Sequence, residues 1–288
     1  MKEMTSRERV LTVFEHQEPD RVPMWCGASA DFWNKAKRQL NLDDESLRVR
    51  FHDDFRGVLA NFNIPNWKPK PGIAYTTLFG VDRSGIGYGH PTSHPLAEAS
   101  LKQIHDYAWP DPEWVDPSNV RNDASKHDKK YAILGGIWSP FWHDAIDLLG
   151  MENMFIKMYS QPEIVDAVLQ HIVDYYANSS QKVFDAAADS IDIFFIGNDF
   201  GSQTGPLIGA NLFKRFIQPH LKRFVDLGHS YKLKVMMHSC GGIVPLIPLM
   251  IEAGLDSLHA VQTTCYGMDL KELKSQFGNK IVFNGCID

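Results

Sequence analysis

Apolar and polar positions follow two distinct periods along the chain. Near the N-terminus, Val10, Leu11, Val13 and Phe14 recur at helical spacing behind Thr5 and Glu8, which are spaced as a capping box. Pro19-Asp20-Arg21 interrupts that helix, and Val22 to Gly27 reads as a short strand opening into a loop. A second helical stretch is predicted from about 31 to 40, and residues 54–59 read as a second strand. Beyond residue 130, apolar runs at 131–137, 191–197, 234–238, 257–261 and 281–284 alternate with helical patterns at 144–159, 162–188, 211–227, 243–253 and 269–276. Pro162 marks the start of the longest helix.

Strands alternating with helices at these intervals form βα units around a parallel sheet. Two architectures satisfy the pattern, a doubly wound sheet and a (β/α)8 TIM-type barrel. No Gly-x-Gly-x-x-Gly turn follows the first strand and no Gly-Lys-Ser/Thr loop occurs, which removes the usual support for a nucleotide fold. Residues 63–118 break the alternation: they are rich in Pro, Gly and aromatics, and Ile73–Gly80 with Gly85–Gly89 predicts a β-hairpin insertion bordering a site. The candidate strands number seven, so 1–288 reads as a single barrel domain lacking its last βα unit, and a longer native product is expected.

Composition narrows the partners. There are 29 Lys+Arg against 35 Asp+Glu, and 29 − 35 = −6 makes the chain a poor ligand for a phosphate backbone, so no nucleic acid is expected. The longest apolar run, Ile243–Ile251, contains Pro245 and Pro248 and falls well short of the about 20 residues of a membrane span. The N-terminus has no apolar signal core, and four cysteines in 288 residues are no disulfide scaffold, so a cytoplasmic setting is expected.

The candidate chemistry gathers where predicted strands end. All four cysteines (Cys26, Cys240, Cys265, Cys286) fall at such positions, as do Asp199 and His238. In parallel α/β proteins that face carries the site. In His238-Ser239-Cys240, residues i and i+2 of an extended segment project to one side, so an imidazole and a thiolate converge as metal ligands do. An isolated pair of this kind is more often a core histidine beside an inert cysteine. Cys286 is the candidate third ligand. The run Gly197 to Pro206 places Asn198, Asp199 and Gln203 over the same face, Asp199 as an acid/base or orienting group. Of the adjacent Asp53 and Asp54, Asp54 is expected to face the mouth, with Asp53 and Arg56 solvated or paired on the rim. His259 is read as a mid-strand core histidine. No Gly-x-Ser-x-Gly elbow supports serine chemistry.

The run Gly197-Asn198-Asp199-Phe200-Gly201-Ser202-Gln203-Thr204-Gly205-Pro206, with His238-Ser239-Cys240-Gly241, Val261-Gln262, Gly267-Met268-Asp269 and Phe283 to Asp288, resembles the uroporphyrinogen decarboxylase superfamily. Arg7-Glu8-Arg9, Pro19-Asp20-Arg21-Val22-Pro23 and Trp109-Pro110-Asp111-Pro112 fit it too. The resemblance implies a (β/α)8 barrel and one of two activities. Decarboxylases of the superfamily grip uroporphyrinogen with an Arg-Gln-Ala-Gly-Arg segment after the first strand, but here Met24–Asp31 contains no arginine. The corrinoid-linked methyltransferases carry a His-x-Cys pair that matches His238 and Cys240, plus a Cys after the eighth strand that has no counterpart here.

The expectation is therefore a zinc-dependent methyltransferase moving a methyl group between a small methylated substrate or thiol and a corrinoid carried by a partner protein. His238, Cys240 and Cys286 would hold Zn²⁺. Asp199 and Asp54 would be the catalytic residues. Asn198, Gln203, Gln262 and Trp25 would bind substrate. The alternatives are a uroporphyrinogen decarboxylase and a non-catalytic protein binding a small molecule or a corrinoid partner.

Overall fold

In the computed structural model, the structure describes residues 3–65, 75–85, 89–127 and 129–286. Six strands form one parallel sheet: β1 (Phe55–Gly57), β2 (Ala132–Gly135), β3 (Ile193–Gly197), β4 (Lys234–His238), β5 (Ser257–Val261) and β6 (Val282–Gly285), ordered as in the chain. The segment preceding β1 adds a parallel bridge from Met24 to Asp53. The sheet curls with helices on its outer face, the architecture of a TIM-like barrel without closure; among the described residues no ladder joins β6 to β1. The seven-strand expectation is thus met by six strands and one bridge.

Alternation along the strands sorts two cores. Phe55, Ala132, Leu134, Ile193, Met236 and Val282 turn inward and pack with Val10 and Phe14 of the N-terminal helix Ser6–Phe14, which plugs the lower end of the curl. Their neighbours Ile133, Phe194, Ile196, Val235, Met237 and Leu258 turn outward onto helices such as Pro162–Ala187 and Gln218–Ser230. The capping box at Thr5 and Glu8 is formed.

Local departures from the predicted elements have physical causes. The helix expected over 144–159 is two helices, Phe141–Leu149 and Met151–Ser160, because Gly150 turns the chain at φ +82°. The one expected from 211 contains a π-helical turn over Phe213–Ile217 immediately before Pro219. A helix at Asp44–Arg50, with Asp43 as its N-cap, went unrecognised. The predicted insertion contains a three-stranded antiparallel sheet of Tyr75–Thr76, Asp82–Ser84 and His90–Pro91; residues 66–74 and 86–88 of it lie outside the described residues, as do 287–288. Among the described residues no helix is long and apolar enough to cross a membrane.

The residues around Asp54 are corrected. Asp54 precedes β1, at the end of the sheet opposite the strand C-termini, and is wholly buried. It accepts from Arg9 at 2.8 Å, from Arg21 at 2.8 and 2.9 Å, and from the Met24 amide at 2.8 Å. Arg9 in turn binds Asp20. This clamp ties the N-terminal helix and the first extended segment to β1 and leaves no carboxylate oxygen for a substrate. Asp53 and Arg56 are paired as expected but buried, not on the rim: Asp53 pairs with Arg48, and Arg56 pairs with Glu45 and lies 3.7 Å from the centre of the Tyr131 ring.

Candidate metal centre and its cavity

Three strand ends build the site. His238 is the last residue of β4, and its register partner on β5 is His259. Both follow the inward phase set by Met236 and Ser257, so the imidazoles meet inside the curl. Asp199 lies two residues past β3, which runs beside β4. The loops after β3 and β4 pack backbone to backbone, since a Cβ on Gly241 would sit 2.3 Å from the Gly201 carbonyl carbon. Gly241 also needs φ +88°. That approach brings Asp199 to the Cys240 loop.

The result is a compact donor set. His238 Nε2 lies 3.2 Å from Cys240 Sγ and 3.1 Å from Asp199 Oδ1. The ligand atoms of Asp199, His238 and Cys240 all fall within 4.8 Å of one another. Asp199 Oδ1 also accepts the Cys240 amide at 2.8 Å, and the Asp199 amide donates to His143 Nε2 at 2.8 Å. Gln262 Oε1 accepts the Gly241 amide at 2.8 Å and so fastens the far side of the cysteine loop.

Burial and neighbouring charge set the ionisation of the cluster. Burial, then the adjacent Asp199 carboxylate, push the Cys240 thiol up to about 12. Burial also opposes ionisation of Asp199, but hydrogen bonds from His238 and the Cys240 amide outweigh it and hold that carboxyl well below its usual range. A permanent carboxylate beside a thiol that resists ionisation is relieved by a divalent ion between them, which stabilises both anions. The N, S and O donors are those zinc takes. Burial, then His238, lower His259 to about 3, so this second imidazole is neutral.

A cavity of about 480 Å³ opens beside the cluster, lined by Trp25, Cys26, Phe32, His238, His259 and Asn284 among others. Trp25 and His259 of its wall are backed by an aromatic floor that does not itself line the cavity: Trp25 packs 4.3 Å from His259 and 5.2 Å from Phe195, and Trp138 lies 5.0 Å from Phe195 and 6.0 Å from His238. Trp138 reaches that position over Gly197, where a Cβ would stand 1.8 Å from the indole.

The structure redistributes the predicted roles. It brings together His238, Cys240 and Asp199, and places Trp25 in the cavity wall. Cys286 is corrected: its backbone takes φ +70° and its half-buried side chain packs with the outward-facing core, outside the donor cluster. Asn198 is corrected as well. It is buried, its Oδ1 accepts the Trp142 amide and its Nδ2 donates to Ser139, so it anchors the start of the helix Phe141–Leu149. Gln203 is exposed at the tip of the hairpin Gly201–Pro206, and Gln262 holds the cysteine loop. His259 is buried and hydrogen-bonded as the core reading expects, and its inward phase beside His238 carried the signal for their contact. His143 was missed and carried no signal beyond being a histidine just after the aromatic Trp138–Trp142 run.

Over its whole length the chain is similar to the methylcobamide:CoM methyltransferase MtbA of Methanosarcina mazei, at 22% identity over 98% of this chain and 82% of that protein. The MtbA of Methanosarcina acetivorans is 21% identical with the same coverage. The chloroplastic uroporphyrinogen decarboxylase 2 of Oryza sativa subsp. japonica is 22% identical over 99% of this chain and 74% of that one. A solved methyltransferase structure from Methanosarcina mazei shares the fold at TM-score 0.62 and 16% identity, covering 99% of this chain and 83% of that one. The uroporphyrinogen decarboxylase (URO-D) family profile matches residues 119–288, more than half of the chain and every strand from β2 to β6, and the chain belongs to that family.

Proposed function

We propose that this protein is a zinc-dependent methyltransferase, with Asp199, His238 and Cys240 holding the metal. The observation that carries the reading is the convergence of an imidazole nitrogen, a thiol sulfur and a carboxylate oxygen at adjacent strand ends. A bound zinc ion would supply Lewis acidity, keeping a thiol ionised at neutral pH or polarising the atom that bears the methyl group. The chain's own residues supply the rest. Asp199 orders the Cys240 loop through its amide, and Gln262 holds the next amide. Trp25 and Phe32 offer apolar ring surface to the cavity that keeps water from a methyl group, and Phe195 backs Trp25. The exposed hairpin bearing Gln203 borders the loops at this end of the sheet and is available to a corrinoid-carrying partner, the role suggested by the MtbA relatives.

The decarboxylase alternative fits less well. After the first extended segment the cavity is walled by Trp25, Cys26, Gly27 and Ala28, an apolar surface poorly matched to a substrate with eight carboxylates. Zinc stoichiometry by atomic absorption in wild type and His238→Ala, together with methyl transfer from methylcobalamin to thiols, tests the proposal. One zinc per chain, lost in the variant, with thiol methylation is expected. Metal-free wild type after zinc supplementation, or turnover of uroporphyrinogen instead, overturns it.

A further inference from the structure

A metal bound through His238 Nε2 uses that atom's lone pair, so the His238 proton must sit on Nδ1. His238 Nδ1 lies 2.8 Å from His259 Nδ1. Two imidazole nitrogens at that distance share one proton, one donating and the other accepting. With the proton on His238, His259 Nδ1 accepts, so the only ring nitrogen left to carry the His259 proton is Nε2.

We propose that His259 is the positioning residue of the metal centre: its Nδ1 fixes the ring and tautomer of His238, and its Nε2–H is thereby presented to the cavity as a donor for an acceptor atom of the substrate, such as an ether or carbonyl oxygen. The inference rests on the metal-site reading above.

Packing holds His259 in this role. Its ring lies against Trp25 at 4.3 Å and Phe195 at 5.6 Å, and the residue is only 9% exposed. It lines the cavity, and the Nε2 side faces the loop after the first extended segment, where a Cβ on Gly27 would be 3.4 Å away. Among the described residues no protein group accepts from Nε2, so the donor is free for a ligand. A ligating histidine ordinarily donates its second N–H to a carboxylate or a carbonyl. Here the acceptor is an imidazole. It orients His238 as a carboxylate does but adds no third negative charge to the Asp199 and Cys240 donor pair.

The test is zinc affinity by chelator competition in wild type, His259→Phe and His259→Asn, with ¹⁵N NMR of the histidines in the zinc-loaded wild type. The Asn side chain can place Oδ1 where Nδ1 was. His259→Phe is expected to weaken zinc about 10–100-fold, the usual cost of losing such a partner, with the thermal midpoint little changed, and His259→Asn to restore most of the affinity. NMR is expected to find the His259 proton on Nε2. Wild-type affinity in His259→Phe, or a His259 proton on Nδ1, overturns the inference while the metal site stands. A wild type that takes up no zinc overturns both.

Discussion

Asp199 meets Cys240 twice over: its Oδ1 accepts the Cys240 amide at 2.8 Å, and a carboxylate oxygen lies within 4.8 Å of the Cys240 sulfur. One carboxylate therefore shapes the loop and completes the donor set. The two roles separate by substitution. Asp199→Asn keeps an acceptor for the amide but removes the negative charge, so the fold is expected to persist while zinc affinity falls by at least about 10–100-fold, the scale at which even a supporting contact counts. Asp199→Ala loses both and is expected to loosen the loop as well. Chelator competition and the near-ultraviolet dichroism of the neighbouring tryptophans measure the two effects. Equal zinc affinity in wild type and Asp199→Asn would remove Asp199 from the metal centre.

The same residue type does different work at Asp54. Its carboxylate is buried between Arg9 and Arg21, and removing one member of such a cluster strands the others without a partner. Asp54→Ala is expected to cost about 3–5 kcal/mol of stability by urea unfolding, with zinc stoichiometry preserved in the folded fraction. A variant that unfolds like wild type yet loses methyl transfer would return Asp54 to the catalytic site.

Asp54 also shows where sequence reasoning reaches its limit. Hydrophobic periodicity placed β3, β4 and β5 within two residues, because inward and outward positions are both apolar in a covered parallel sheet. The His238 and Cys240 pair was legible because two residues of one strand end necessarily share a side. Asp199 was read onto the strand-end face, but its approach to Cys240 was not legible, since that depends on Gly201 and Gly241 packing together across two loops. Asp54 and Cys286 were misassigned because lying at a strand end does not say which end a strand begins from or how a left-handed residue turns its side chain. The Arg9 and Arg21 clamp is formed by residues 45 and 33 positions from Asp54, which no local pattern connects.

Gly197 is the inward residue at the end of β3, and the Trp138 indole occupies the space where its Cβ would be. Gly197→Ala therefore has to displace the indole from the floor formed with Phe195 and His238. Overpacking of this kind costs about 1–3 kcal/mol. Trp138 is also 43% exposed, so its emission is expected to shift when the ring is pushed outward. Zinc affinity is expected to fall with substrate affinity, because Trp138 packs against His238, one of the three donors and the register partner of Gly197. Unchanged emission with unchanged affinity would mean that the floor is not set by this contact.

Far from the site, His220 gives stability a pH dependence. It lies on the helix Gln218–Ser230 near Phe141, and burial first, then Arg223, lower it from 6.5 to about 4, against the opposing pull of Asp166 and Asp174. The folded state thus keeps His220 neutral where the unfolded chain is protonated. Between pH 6.5 and 4 the unfolded state binds more protons, so stability falls as the pH drops and the contribution is complete above 6.5. His220→Gln, which cannot titrate, is expected to flatten the urea midpoint across that window while leaving the midpoint at pH 8 close to wild type. The difference between the two proteins isolates His220 from the carboxylates that titrate at lower pH. Parallel midpoint curves for wild type and variant from pH 4 to 8 would show that His220 is protonated as readily in the fold as outside it.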